Sequence, residues 1–365
     1  MRSLVAVLSV VVLYGCSVER FIPEDEYLYT KETVNITPDT VVENLEAIRT
    51  DLKAALRPEP INSFLGGYPG LYYHYKAQRE KPGFINKFLN KKFGKEPVYA
   101  SDIETYEMEQ ILLNRLENKG YFYSIVSSEI VRDTSDKTAE AIYSLRLAKP
   151  YRLQTYQLDT DTLPVYSKIK TSMNETLLKS GMNFDLSAMK SERNRIDSYL
   201  KEEGYYNFNS GFLIFETDTN QYRNKRFDLY LRLKKDVPQK AVVPYKLSKI
   251  NIYPNNRVDV DSAALDTTRY AEKNFIQDEI YFKPKLLDPF VLLEEGDRYS
   301  PAKSKATGRR LGNIGAYKFV NIRYDEIKGS SEDSLGRLEA NIYLSPLKKR
   351  AIRAEVKGVT KSNGF

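Results

Sequence analysis

Leu116-Glu117-Asn118-Lys119-Gly120-Tyr121-Phe122 decides the fold, because it returns as Leu200-Lys201-Glu202-Glu203-Gly204-Tyr205-Tyr206 and again as Leu311-Gly312-Asn313-Ile314-Gly315-Ala316-Tyr317. Each copy closes a stretch of helical spacing and opens one that alternates like a strand. Gly120, Gly204 and Gly315 fall where a helix C-terminus needs a left-handed residue, which glycine supplies without steric penalty. An aromatic follows within two residues, as at the start of a strand. Three copies of one unit predict an array of like modules, and arrays bind or scaffold more often than they catalyse.

Working outward from Gly204 gives the clearest unit. A strand is predicted over 151–158, helices over 165–178 and 187–203, and strands over 206–216 and 227–235. The order is β-α-α-β-β. Around Gly120 the same order appears, with a first strand through 34–36, helices over 41–56 and 101–119, and strands over 121–131 and 139–147. An insertion of roughly 58–99 separates its helices. Around Gly315 a strand over 246–253 is followed by an insert near 259–282. Helices over 284–293 and 301–314 come next, then strands over 316–325 and 337–344. A second phrase supports this register: Ser180-Gly181-Met182-Asn183-Phe184-Asp185 matches Glu295-Gly296-Asp297-Arg298-Tyr299-Ser300, with a worn version in Glu96-Pro97-Val98-Tyr99. A glycine turn, an aromatic and a polar cap suit the approach to a second helix. The fold class expected is α+β, each module a three-stranded sheet with two helices on one face.

The N-terminus reads as an export signal over 1–15. Arg2 supplies the positive charge, and 4–13 is an apolar run broken only by Ser9, too short to span a bilayer. Leu13-Tyr14-Gly15-Cys16 resembles the lipobox of bacterial lipoproteins, although Tyr14 is bulkier than the usual spacer. That resemblance implies cleavage before Cys16 and its acylation, with 16–26 as a linker. Cys16 is the only cysteine, so no disulfide forms within the chain. Several acyl chains together anchor a protein stably, where one is marginal.

Composition narrows the partners. The formal charge of +7 falls to +6 when Arg2 leaves with the signal, and the signs are mixed along the chain. This does not call for nucleic acid, and it tolerates an anionic lipid surface. The 28 tyrosines, with 16 phenylalanines and no tryptophan, suit half-wet strand faces.

On the two phrases, the β-α-α-β-β unit resembles a POTRA domain. Tyr27-Leu28-Tyr29-Thr30-Lys31, the lipobox and Leu344-Ser345-Pro346-Leu347-Lys348-Lys349 are similar to the lipoprotein TamA-like (TamL) branch of the BamA/TamA outer-membrane assembly superfamily. The resemblance implies POTRA-like modules at 27–150, 151–240 and 241–346, in the periplasm of a protein lipid-anchored at the outer membrane. It implies unfolded outer-membrane protein clients, a possible inner-membrane partner, and a β-barrel to which clients pass. Residues 347–365 read as the start of such a barrel, with a first strand over 351–359. A structural spacer between membranes is the main alternative.

An enzyme is not expected. His74, the only histidine, sits in Tyr72-Tyr73-His74-Tyr75-Lys76, and no G-x-S-x-G motif or partner cysteine accompanies it. Asp159 with Asp161, and Asp259 with Asp261, lack the glycine and distal glutamate of a calcium loop and suit turns. Gly66-Gly67-Tyr68-Pro69-Gly70 lacks the lysine of a phosphate loop. No cofactor or metal is expected.

Two binding surfaces are expected instead. An extended client can add a strand to an exposed sheet edge, and the edge chosen here is Lys249, Ile250, Asn251, Ile252 and Tyr253. Within the insertion, Phe84, Ile85, Phe88, Leu89 and Phe93 have helical spacing. Residues 76–95 also hold Lys76, Arg79, Lys81, Lys87, Lys91, Lys92 and Lys95 against Glu80 alone. A basic amphipathic helix can lie on a lipid surface through Phe84, Phe88, Lys87, Lys91 and Lys92. The preferred reading is a helix packing its apolar face on the first unit, with its lysines in water.

Overall fold

The computed structural model describes residues 18–64, 67–159, 161–256, 265–327 and 335–347. The expected signal, Cys16, Gly66, Asp259, Asp261 and the barrel start beyond Leu347 lie outside the described residues. The chain groups into two compact units. One is residues 1–155 with 179–187 and 218–228; the other is 156–178 with 188–217 and 229–365.

The first module runs β1 (Leu28–Pro38), α1 (Leu45–Lys53), α2 (Pro69–Ala77), α3 (Phe84–Phe93), α4 (Thr105–Glu117), β2 (Ile125–Asp133) and β3 (Thr138–Leu147). Its sheet has the order β1-β3-β2, with β1 parallel and β2 antiparallel to β3. The parallel pair requires a crossover, which the helices supply. In β3 the period-two side chains Ala139, Ala141, Tyr143, Leu145 and Leu147 are buried. The last four of them share a core with Met108, Leu112 and Leu116, four residues apart on α4, and with Ile48 and Leu52 on α1. Burying Leu112 and Leu116 fully contributes about 1.5–3 kcal/mol each.

The insertion builds a satellite core, in which Val18, Ile22, Leu28, Ile61 and Leu71 are buried beside Tyr68, Tyr72 and Tyr75. The expected linker 16–26 is therefore corrected. From Val18 onward it is docked, because Phe21 stacks on Tyr75 of α2 at 5.5 Å and Val18 and Ile22 are apolar enough to gain by burial.

The middle module consists of β4 (Arg152–Leu158), α5 (Pro164–Ser172), α6 (Leu186–Glu202), β5 (Leu213–Asp218) and β6 (Arg226–Leu233), with sheet order β4-β6-β5. Val165, Ile169, Ile196, Leu200, Phe208 and Leu231 are central to its core. Here β5 begins later than the strand predicted over 206–216. Tyr205 and Phe208 are drawn into the core, and the Asn209 side chain accepts from the Gly211 amide to cap a tight turn.

The third module runs β7 (Tyr245–Tyr253), β8 (Asp266–Tyr270), β9 (Lys273–Gln277), α7 (Pro284–Leu287), α8 (Pro301–Gly312), β10 (Tyr317–Glu326) and β11 (Gly336–Pro346). The α+β class holds, and the first two sheets have three strands. The third has five, in the order β10-β11-β7-β9-β8, because the insert near 259–282 forms a hairpin that pairs through β9 with β7. The helix predicted over 284–293 shrinks to one turn. Pro289 cannot donate to a continuing helix, and Val291 and Leu293 enter the core beyond a tight turn at Asp288–Phe290.

Candidate functional site

The second repeated phrase plays the same structural part wherever it occurs, lacing the outer edge of its module's first strand. In the middle module the Leu153 amide donates to Met182 O at 2.9 Å. The Gly181 amide donates to Leu153 O at 2.7 Å, and the Phe184 amide to Tyr151 O at 2.8 Å. The third module repeats this with Leu247 to Asp297 at 2.8 Å, Gly296 to Leu247 at 2.7 Å and Tyr299 to Tyr245 at 3.0 Å. In the first module Tyr29 donates to Val98 at 2.8 Å and Ala100 to Tyr27 at 2.8 Å. Pro97 stands where the other modules have Gly181 and Gly296. It has no amide to give, and the Tyr29 carbonyl accepts instead from Ile61 of the insertion at 2.8 Å.

This lacing corrects the expected edge. Lys249, Ile250, Asn251, Ile252 and Tyr253 lie on β7, an interior strand. It pairs with β11 on one side, and on the other with Gly296–Tyr299 near its start and with β9 at Asn251 and Ile252. Ile250 and Ile252 point into the core with no exposure. Asn251 is 5% exposed and bonds across the sheet to Asn341 and Asn274, each at 2.9 Å. Tyr253 stacks on Tyr343 at 4.7 Å. Only Lys249 is exposed.

The open edges belong instead to each module's second strand. β2, β5 and β10 are terminal in their sheets, as is β8. β2 pairs with β3 without a register shift and exposes Ile125 and Val131. β10 exposes Phe319. Each of these two edges runs beside its module's second helix: Ser128 on β2 donates to Glu109 on α4 at 2.6 Å, and Ser304 on α8 bonds Tyr324 on β10. The phrase returns as a turn beside the first strand and occupies that strand's edge, a pairing that only the fold reveals.

The three glycines adopt the left-handed conformation, with φ of +86° at Gly120, +98° at Gly204 and +75° at Gly315. The first two also make joints. Gly120 O accepts from the Tyr151 amide at 2.9 Å, and Phe122 sits edge-on to Tyr151 and Phe184. Gly204 O accepts from the Tyr245 amide at 2.8 Å, and Tyr206 sits edge-on to Tyr245 and Tyr299.

The remaining candidates are placed as follows. α3 forms as predicted but buries no residue, which overturns the reading that its apolar face packs inward. Phe84 is 82% and Phe88 54% exposed, while Lys87, Lys91 and Lys92 are exposed and form no ion pair among the described residues. His74 on α2 bonds the side chain of Gln78, the residue just past that helix, at 3.1 Å. Asp161 accepts from the Leu163 amide at 3.0 Å ahead of α5, a turn role, and Asp159 lies 4.0 Å from Arg232. Among the described residues no cluster of three His, Cys, Asp or Glu side chains is placed to hold a metal. None of the described helices is long and apolar enough to cross a membrane.

No family model matches the sequence, and nothing among curated proteins matches it. Solved structures are similar at low identity. Haemophilus influenzae BamA POTRA3-5 is 12% identical with a TM-score of 0.37, over 89% of this chain and 99% of that one. The N-terminal domain of Omp85 from the thermophilic cyanobacterium Thermosynechococcus elongatus is 11% identical with a TM-score of 0.26, over 88% and 99%. POTRA1-3 of the periplasmic domain of Omp85 from Anabaena is 12% identical with a TM-score of 0.27, over 88% and 97%.

Proposed function

We propose that this chain is a periplasmic, polypeptide-binding array of POTRA type that serves outer-membrane protein assembly or translocation. One observation carries the reading. In all three modules the first strand is laced along its edge while the second strand is terminal and open. An open edge is an aggregation hazard that most folds blunt, so its repetition favours use. An extended client would add to β2, β5 or β10. Main-chain hydrogen bonds give affinity there without demanding a client sequence. In this reading Cys16 carries the acyl anchor that holds the array at the outer membrane, and clients pass to a β-barrel. A link to an inner-membrane partner belongs to the same proposal. No catalytic step is assigned to His74 or to the aspartates.

Photo-crosslinking tests it. A benzoylphenylalanine at Glu129 on β2, Glu216 on β5 or Arg323 on β10 is expected to capture unfolded outer-membrane β-barrel precursors in growing cells. The same probe at Lys249 on β7 is expected to capture several-fold less. Equal capture at Lys249 and the three edges, or none at any edge, would overturn the reading.

A further inference from the structure

We infer that α3 is a membrane-surface helix, seated on a bilayer containing anionic phospholipid. The inference goes beyond polypeptide binding and does not rest on it. With about 100° between successive residues, Lys87, Lys91, Phe84, Phe88, Lys92 and Ile85 follow one another round an arc of about 160°. All six are exposed. On the opposite arc Asn86, Leu89 and Asn90 are half-buried, while Phe93, the last residue of the helix, is 52% exposed. α3 packs against α2. The helix therefore turns two asparagines and one leucine inward and shows solvent its phenylalanines. A helix stabilised only by its own domain would have the reverse arrangement.

The exposed arc has the chemistry of an interfacial helix. Phe84 and Phe88 stack on each other with centroids 6.5 Å apart, and Ile85 beside them is 69% exposed. Lys87 and Lys91 flank this apolar strip and Lys92 sits at its C-terminal end. Lysine stems bury along apolar surface while their ammonium groups reach phosphates. None of Lys76, Arg79, Lys81, Lys87, Lys91, Lys92 and Lys95 forms an ion pair with a described carboxylate. Lys76, Arg79 and Lys92 lie over the rings of Tyr72, Phe21 and Phe93, and that concentration of cations without a described carboxylate partner decides the occupant. A second copy seated on the same patch would set lysines against lysines. An anionic lipid surface answers both the cations and the phenyl rings.

The position in the fold agrees. Val18, two residues after Cys16 in sequence, is buried in one core with Leu71 of α2. Phe21 stacks on Tyr75 of the same helix. Acyl chains on Cys16 would bring a bilayer beside the element that carries α3. The arc then adds a second contact, which fixes how the first module meets the surface.

The chain contains no tryptophan, so Phe88→Trp makes a single reporter in the full protein. The probe is vesicles of phosphatidylcholine with 30% phosphatidylglycerol, prepared with and without brominated acyl chains. A blue-shifted emission quenched by the bromolipid is expected, and Tyr106→Trp on the exposed side of α4 is expected to stay unquenched. Lys87→Glu, Lys91→Glu and Lys92→Glu added together are expected to weaken the lipid-dependent quenching about tenfold or more, since each cation contributes roughly a fivefold preference for an anionic surface. Circular dichroism checks that these surface variants stay folded, and Phe84→Trp gives an independent reporter. No quenching at either position in acylated protein would overturn the inference. So would quenching that is unchanged by the charge reversals, or a blue shift that grows with protein concentration without lipid, which reports a second copy. The mass of the mature N-terminus reads acylation separately, so failure of the anchor and failure of the helix are distinguishable.

Discussion

Gly120 accepts a 2.9 Å hydrogen bond from the amide of Tyr151, so the residue that ends α4 also fixes the start of β4. Gly204 and Tyr245 repeat the relation at 2.8 Å. The repeated phrase is thus a joint as well as a helix stop. At Gly120 and Gly204 the glycine combines a left-handed backbone with a close approach that leaves little room for a side chain, and the aromatic, Phe122 or Tyr206, fills the space beside the next first strand.

Alanine at the three glycines separates these two needs. A left-handed alanine costs about 1–2 kcal/mol wherever it is placed. At Gly315 a Cβ meets nothing within 4 Å, so only that cost is expected. At Gly120 the Cβ would lie 2.8 Å from Phe184 Cβ and 3.0 Å from its carbonyl oxygen, so Gly120→Ala is expected to lose about 3 kcal/mol or more. Gly204, with Tyr245 O at 3.3 Å, should fall between them. Denaturant midpoints of the three variants check the order. Equal losses would mean that the close approach at Gly120 contributes nothing.

Proline at Ile252 tests the corrected place of β7. Were Lys249–Tyr253 a free edge, Ile252→Pro would block a partner and spare the fold. In an interior strand it breaks the ladder and empties a fully buried site, for an expected loss above about 3 kcal/mol. Asn251→Ala leaves Asn341 Oδ1 without this donor and Asn274 Nδ2 without this acceptor, and is expected to cost about 1–3 kcal/mol. Thermal unfolding of the purified chain reads both. A native melting temperature for Ile252→Pro would return β7 to the edge.

Much of this architecture is legible in the sequence for a physical reason. A left-handed stop after a helix, followed by an aromatic, restricts local geometry strongly, and all three copies obey it. The α3 periodicity is legible in the same way, since Phe84 to Phe93 matches the predicted helix. Which side of that helix faces the domain was not. Periodicity locates an apolar strip without saying what covers it, and the asparagines that turn inward carry no such signal. The open edges were hidden for a different reason. Whether a strand is terminal depends on distant pairing: β9 reaches β7 only at Asn251 and Ile252, and the turns at Gly181 and Gly296 lie well beyond the ends of the strands they lace, at Leu158 and Tyr253.

Glu192 predicts an acid-sensitive fold in the middle module. Its side chain has no exposure, yet its two oxygens are fully used. Arg195 donates at 2.8 and 3.0 Å and the Leu177 amide at 3.0 Å. Burial pushes its carboxyl pKa up, but Arg195 and the Leu177 amide outweigh burial, and it is held below the ordinary value of 4.5. A lowered folded value means that ionisation favours the folded state. The stabilisation is complete above the ordinary value of 4.5 and drains away as pH falls through the lowered folded value. Glu192→Gln keeps the shape but strands the Arg195 guanidinium, so it is expected to lose about 3 kcal/mol near pH 7. Acid titration of both proteins by denaturant unfolding checks the sign: the gap between them should narrow as the native carboxyl protonates. A gap that widens on acidification would mean that Glu192 is held protonated in the fold, and the ion pair would have to be abandoned.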